Sequence, residues 1–280
     1  LTLHRQSLLK TTLACHIERI MPYIENNYIS INYLDEGDPS GFPIIFSNSL
    51  GTNLYLWDEI IPHLDPKFRL VRYDKRGHGD SSSPKPPYDM ACLISDVEFL
   101  INSLNIEKCV FVGLSIGGMI AQGLAARRPN LIKALVLSNT ASKIGTKDLW
   151  EDRIKAVEAN GLSHMVNSVM ERWFSKNFFK SHKIDRWKNM FLDTLPNGYI
   201  GCCAAISNTD FYEQTSTLMM PTLAIAGGED GSTPPDLVKE TQNLIKGSEF
   251  YLIKGAGHLP CVEKPKEYAH KLNDFINSNT

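Results

Sequence analysis

Ser115, Asp230 and His258 are the residues whose types and settings together describe a chemistry. Ser115 stands in Gly113-Leu114-Ser115-Ile116-Gly117, where the apolar run Cys109-Val110-Phe111-Val112 meets a helical pattern beginning Gly118-Met119-Ile120-Ala121. Glycines two residues to either side of a serine at a strand-to-helix bend let its hydroxyl stand exposed above the sheet, the arrangement of a nucleophile elbow. A serine hydroxyl attacks a carbonyl only when a base takes its proton and an acid holds that base in the right tautomer. Asp230, in Gly227-Gly228-Glu229-Asp230-Gly231-Ser232-Thr233-Pro234-Pro235, and His258, in Gly255-Ala256-Gly257-His258-Leu259-Pro260, each follow an apolar run. Singly, the aspartate reads as a helix cap and the histidine as a surface residue. At successive strand ends they read as the acid and the base, with Glu229 as the rival acid. None of His4, His16, His63, His78, His164, His182 and His270 follows a strand at a position suited to a base.

Acyl transfer also requires donors for the oxyanion, usually backbone N–H groups. Ile116, after the serine, is one expected donor; Leu50, in Asn48-Ser49-Leu50-Gly51-Thr52 after the run Pro43 to Ser47, is the other. The glycine-rich stretch Asp74 to Ser82 lacks the Gly-Lys-Ser/Thr of a phosphate loop and is expected to be a structural turn beneath the site. No cluster has metal-ligand spacing, and a serine mechanism calls for no cofactor.

Such residues need a frame that gathers them. Pro43-Ser47, Arg69-Tyr73, Lys108-Val112, Ala134-Ser138, Thr222-Ala226 and Glu249-Ile253 are short apolar runs typical of buried parallel strands. Helical patterns at Asp96-Leu104, Gly118-Arg128, Asp236-Ile245 and Lys264-Asn277 alternate with them, so the fold class is α/β, a mostly parallel sheet covered on both faces. The carboxyl ends of parallel strands share one edge, where the three residues converge. Tyr28-Leu34 alternates in polarity and reads as an antiparallel edge strand. Residues 144–218 show no strand but helical spacing at Trp150-Asn160, Leu162-Phe174 and Ile184-Leu195, an inserted helical cap between core segments 21–143 and 219–280. Residues 1–20 are expected to be an extension outside the fold.

Composition narrows the partners. With 280 residues, 42% hydrophobic, 21% charged and a net charge of -2, the chain is ordinary globular protein without a basic field for nucleic acid. No apolar run is long enough to span a bilayer. Six cysteines at irregular spacings read as reduced thiols, which fits a cytoplasmic setting.

Several phrases resemble a known family: Asn48-Ser49-Leu50-Gly51-Thr52 with Trp57-Asp58, Tyr73 to Gly79, Gly113 to Gly123, and Gly201-Cys202-Cys203-Ala204-Ala205-Ile206. From about Met21 onward the chain resembles the α/β-hydrolase superfamily, whose triad order is Ser, Asp, His, and within it the 3-oxoadipate enol-lactonases of aromatic-compound degradation. The resemblance implies opening of a small lactone by Ser115, Asp230 and His258, with Leu50 and Ile116 as the oxyanion hole. A substrate carboxylate would then call on Arg172, Arg186, Trp150 or Trp173 in the cap. Readings held beside this one are a carboxylesterase or perhydrolase-like enzyme, a carbon–carbon bond hydrolase, and a non-catalytic receptor on the same fold. Haloalkane dehalogenation is disfavoured, because it wants an aspartate where Ser115 stands.

Overall fold

The computed structural model describes residues 22–280. The expectation for residues 1–20 therefore lies outside the described residues. Eight strands form one sheet, β1 (Tyr23–Glu25), β2 (Ser30–Gly37), β3 (Pro43–Ser47), β4 (Arg69–Tyr73), β5 (Cys109–Leu114), β6 (Ile132–Ser138), β7 (Thr222–Gly227) and β8 (Glu249–Ile253), in the spatial order β1-β2-β4-β3-β5-β6-β7-β8. β1, β2 and β4 pair antiparallel, and every pairing from β4 to β8 is parallel. The central strands are buried from end to end, as in β5 and β7. Only strands covered on both faces carry such unbroken apolar runs. The α/β class read from the sequence is the observed one. The sheet's edge, however, is the short strand β1, which pairs with β2 and takes the place expected for the Tyr28–Leu34 run.

The helices are α1 (Met90–Ser103), α2 (Ile116–Arg127), α3 (Lys147–Asn160), α4 (Val166–Trp173), α5 (Lys176–Phe179), α6 (Ile184–Leu192), α7 (Pro196–Ser207), α8 (Tyr212–Ser216), α9 (Pro235–Asn243), α10 (Pro260–Glu263) and α11 (Pro265–Asn277). α1 begins ahead of the expected Asp96, because the Asp89 side chain accepts from the Cys92 N–H and caps the helix there. α2 is buried from Ile116 to Ala125 and lies against β5 and β6 with glycines at the contact. A Cβ on Gly118 would come within 2.4 Å of the Thr140 side chain. Small residues there bring the helix N-terminus, and Ser115 with it, close over the strand ends.

Between β6 and β7 the chain runs through α3 to α8 over the carboxyl edge of the sheet. Trp173, Phe174, Trp187 and Phe191 form its aromatic interior. It is tied to the loops after β7 and β8. The carbonyl of Arg172 accepts from Gly231 N at 3.1 Å, and that of Trp173 from His258 N at 2.8 Å, which satisfies acceptors left open at the end of α4. Glu263 clamps the same junction, accepting from Gly257 N at 2.6 Å and from the Ser175 N–H at 3.2 Å.

Candidate active site

Ser115 occupies the single residue between β5 and α2, with φ 58 and ψ -120. A side chain in the left-handed region is held there only by its surroundings. Those surroundings are the backbone of β6 and the Thr140 side chain. Ser115 N donates to Ser138 O at 3.0 Å, and Ser115 O accepts from Thr140 Oγ1 at 2.6 Å. The flanking glycines are steric requirements: a Cβ on Gly113 would stand 2.3 Å from Gly117 O, and one on Gly117 would stand 2.1 Å from Ser47 O.

Asp230, in the loop after β7, lies 5% exposed, and its Oδ2 meets His258 Nδ1 at 2.8 Å. The same oxygen accepts from Asn139 Nδ2 and Thr233 Oγ1, each at 2.8 Å, while Oδ1 accepts from the N–H groups of Ser232 at 2.7 Å and Thr233 at 3.0 Å. Burial pushes this carboxyl up, but the His258 ring and the donors from Asn139 and Thr233 outweigh it, so Asp230 is held below the ordinary carboxylate range. Glu229, the rival acid, is exposed and accepts from Lys176 N at 3.2 Å, away from the histidine.

The other nitrogen of His258, Nε2, faces Ser49 Oγ at 3.5 Å. His258 and Ser115 line one cavity without a hydrogen bond between them in this structure. Catalytic hydrogen bonds of ligand-free enzymes commonly tighten only when substrate arrives.

Leu50 and Ile116 both have N–H groups without a hydrogen-bond partner among the described residues. Ile116 opens α2, so no preceding turn takes its N–H. Leu50 lies in a loop several of whose neighbouring groups are engaged from beneath. Gly51 N donates to His78 Nε2 at 2.9 Å, Lys75 Nζ donates to Ser49 O at 2.7 Å, and Asn48 Nδ2 donates to Thr52 O. The stretch Asp74 to Ser82 is thus a turn beneath the site, as its composition suggests, and it also supplies two buried titratable side chains, Lys75 and His78, that touch the loop carrying Leu50. Burial, with Lys75 nearby, drives the pKa of His78 well down, so the ring accepts from Gly51 as neutral imidazole.

The cavity holds about 140 Å³ of water-accessible space. Ser49, Leu50, Ser115 and His258 form its floor; Trp150, Arg153, Val169, Arg172, Trp173 and Tyr199 form its roof. Of the cap residues singled out from sequence, Trp150, Arg172 and Trp173 reach it. The Trp150 N–H does not serve a ligand, because it donates to Ile144 O at 2.6 Å. Arg186 points elsewhere and pairs with Asp58 at 2.7 Å and Glu59 at 3.0 Å. In its place stands Arg153, which stacks over the Trp150 ring at 4.8 Å. The spacing of Trp150 and Arg153, three residues apart on one helix, puts them on a common face and was the available signal. Neither Arg153 nor Arg172 has a carboxylate in ion-pair range among the described residues. Burial and the charge of Arg153 lower the pKa of Arg172, so the two guanidinium groups repel across the roof.

Residues 43–265 match the family model of the alpha/beta hydrolase fold. The chain belongs to that family. It is 33% identical to 3-oxoadipate enol-lactonase 2 of Acinetobacter baylyi over 87% of this chain and 92% of that one. To 3-oxoadipate enol-lactonase 1 of the same organism it is 35% identical over 84% and 88%. The crystal structure of the enol-lactonase from Burkholderia xenovorans superposes with a TM-score of 0.88 at 31% identity, covering 91% of this chain and all of that one. The resemblance to enol-lactonases read from short phrases therefore extends along the chain. No helix among the described residues is long and apolar enough to cross a membrane.

Proposed function

We propose that the protein is a serine hydrolase that opens 3-oxoadipate enol-lactone to 3-oxoadipate. The observation that carries this reading is one small cavity lined by Ser115, His258 and two arginines, Arg153 and Arg172, that have no carboxylate partner among the described residues. The floor suits acyl transfer, and the roof suits a substrate with a carboxylate. The enol-lactonases among its relatives support the choice of substrate.

In this mechanism Ser115 Oγ attacks the lactone carbonyl while His258 Nε2 takes its proton, and Asp230 stabilises the imidazolium. The oxyanion lies between the N–H groups of Leu50 and Ile116. Collapse breaks the ring C–O bond; His258 returns the proton to the enol oxygen, and the enol, still joined to the acyl group, tautomerises to the ketone. Water, deprotonated by His258, adds to the acyl-enzyme; collapse breaks the acyl–Oγ bond as His258 returns the proton to Ser115 Oγ, and the diacid is released. Residues 144–218 act as a cap whose Arg153 and Arg172 hold the remote carboxylate. The free thiols of Cys92, Cys109, Cys202, Cys203 and Cys261 fit a cytoplasmic setting.

The test is loss of ultraviolet absorbance from freshly generated enol-lactone, with p-nitrophenyl acetate as control. Fast lactone turnover, abolished in Ser115→Ala, is the expected result. Ester turnover without lactone turnover overturns the substrate and leaves a small-ester hydrolase.

A further inference from the structure

Lys75 is an expensive residue for the place it occupies. Its side chain is 1% exposed, and no carboxylate lies in ion-pair range among the described residues. Its neighbour Asp74 is engaged elsewhere, by Asn32 Nδ2 and Leu54 N at 2.7 Å and by Asp80 N at 3.0 Å. Burying an ammonium without a counter-charge costs folding free energy, and an apolar side chain of similar length would avoid that cost. Stability therefore gives no reason for a cation there.

Its contacts do. Nζ donates to Ser49 O at 2.7 Å and, more weakly, to Thr52 O at 3.4 Å. Ser49 O belongs to the same peptide unit as the Leu50 N–H. In a planar trans peptide the C=O and the N–H point in opposite directions. A carbonyl drawn down onto Lys75 turns the Leu50 N–H up and away from it, and Leu50 lines the cavity. Thr52 Oγ1 also donates to Ser49 O, at 2.9 Å. The next N–H, that of Gly51, is bound to His78 Nε2 and is withdrawn. A cation on the carbonyl also polarises the amide and makes its N–H a stronger donor, since linked hydrogen bonds reinforce one another in a low-dielectric setting.

We infer that Lys75 is a positioning residue of the oxyanion site: through the Ser49–Leu50 peptide its ammonium aims and polarises the N–H that receives the oxyanion. The inference rests on the acyl-transfer reading but is independent of which ester is the substrate. Burial pushes the Lys75 pKa down to about 8, against the opposing effects of Cys202 and Asp74. The groups facing it hold their charge in that range: Asp74 is an acid, burial pushes Cys202 up to about 12, and His78 is already neutral. The ammonium is thus the group of this cluster that changes charge just above neutrality.

The experiment compares wild type with Lys75→Met on p-nitrophenyl acetate, with phenylboronic acid as a mimic of the tetrahedral adduct. In Lys75→Met, kcat falls about 10- to 100-fold, KM stays within about threefold, and the inhibition constant of the boronic acid rises with the loss in kcat. Thermal stability is not lowered, as a merely structural role would require. Unchanged kcat and unchanged boronate affinity in a folded Lys75→Met overturn the inference. Wild type supplies a second reading that holds even if the variant does not fold: kcat declines above pH 8. A kcat that is flat to pH 10 overturns the inference. Wild type inactive toward every ester and lactone sinks the hydrolase reading and this inference together, whereas an active wild type with an indifferent variant sinks the inference alone.

Discussion

Asn139 donates its side-chain N–H to Asp230 Oδ2 at 2.8 Å, the same oxygen that faces His258 Nδ1. Asn139 follows β6 with φ 46, a left-handed conformation that asparagine tolerates better than most residues. The three carboxyl strand ends of β6, β7 and β8 are thereby joined by side chains. Asn139→Ala removes one donor from a buried carboxylate and places alanine at a positive φ. A loss of about 1–3 kcal/mol is expected, read as a lowered urea midpoint, together with reduced kcat. Unchanged stability and unchanged kcat would show that Thr233 and the backbone hold Asp230 alone.

Arg153 and Arg172 repel one another in the cavity roof. Arg153→Met should raise the melting temperature while it weakens binding of a carboxylate-bearing substrate. A charge-assisted hydrogen bond contributes about 1.5–3 kcal/mol, so KM for the enol-lactone should rise roughly 10- to 100-fold. KM for neutral p-nitrophenyl acetate should barely move. Equal effects on both substrates would refute the carboxylate role.

The pH dependence of stability carries the sign of Asp230. Its folded pKa is depressed, so its ionisation stabilises the fold above the unfolded value of about 4 and loses that contribution as pH falls through the lower folded value. The stability gap between wild type and Asp230→Asn should therefore be widest near neutrality and narrow below about pH 4. Urea titrations from pH 7 to pH 3 read it directly. A gap that widens toward acid would mean that the aspartate is not held by His258 and its donors.

Gly117 tests the packing beneath the elbow. A methyl group there meets Ser47 O, a backbone atom of β3, at 2.1 Å. Backbone in the middle of a sheet has little room to retreat. Gly117→Ala should cost about 1–3 kcal/mol through overpacking and abolish activity, measured by thermal melt and ester turnover. A folded and fully active Gly117→Ala would show that the elbow relaxes more than its geometry implies.

The elbow and the α/β class were legible because they rest on local rules: glycine where a Cβ clashes, apolar runs where both faces are covered. α7 leaves no helical signature in the sequence, because it is buried nearly all round, from Tyr199 to Ile206, and so lacks an amphipathic period. Residue type alone makes Arg186 as good a cavity cation as Arg172, but Asp58 and Glu59 claim it on the surface.

Sequence by itself determined the strand-helix alternation, the bend at Ser115 and the chain order of the three candidate residues, since each depends on neighbours within a few residues. Tertiary structure decided that Asp230 and not Glu229 meets His258, that Arg153 joins Arg172 over the cavity, and that Lys75 and His78 sit under the loop carrying Leu50. Those relations lie between residues up to 28 positions apart, beyond the reach of any local rule, and a charge acquires its partner only when the fold removes water and sets what remains beside it.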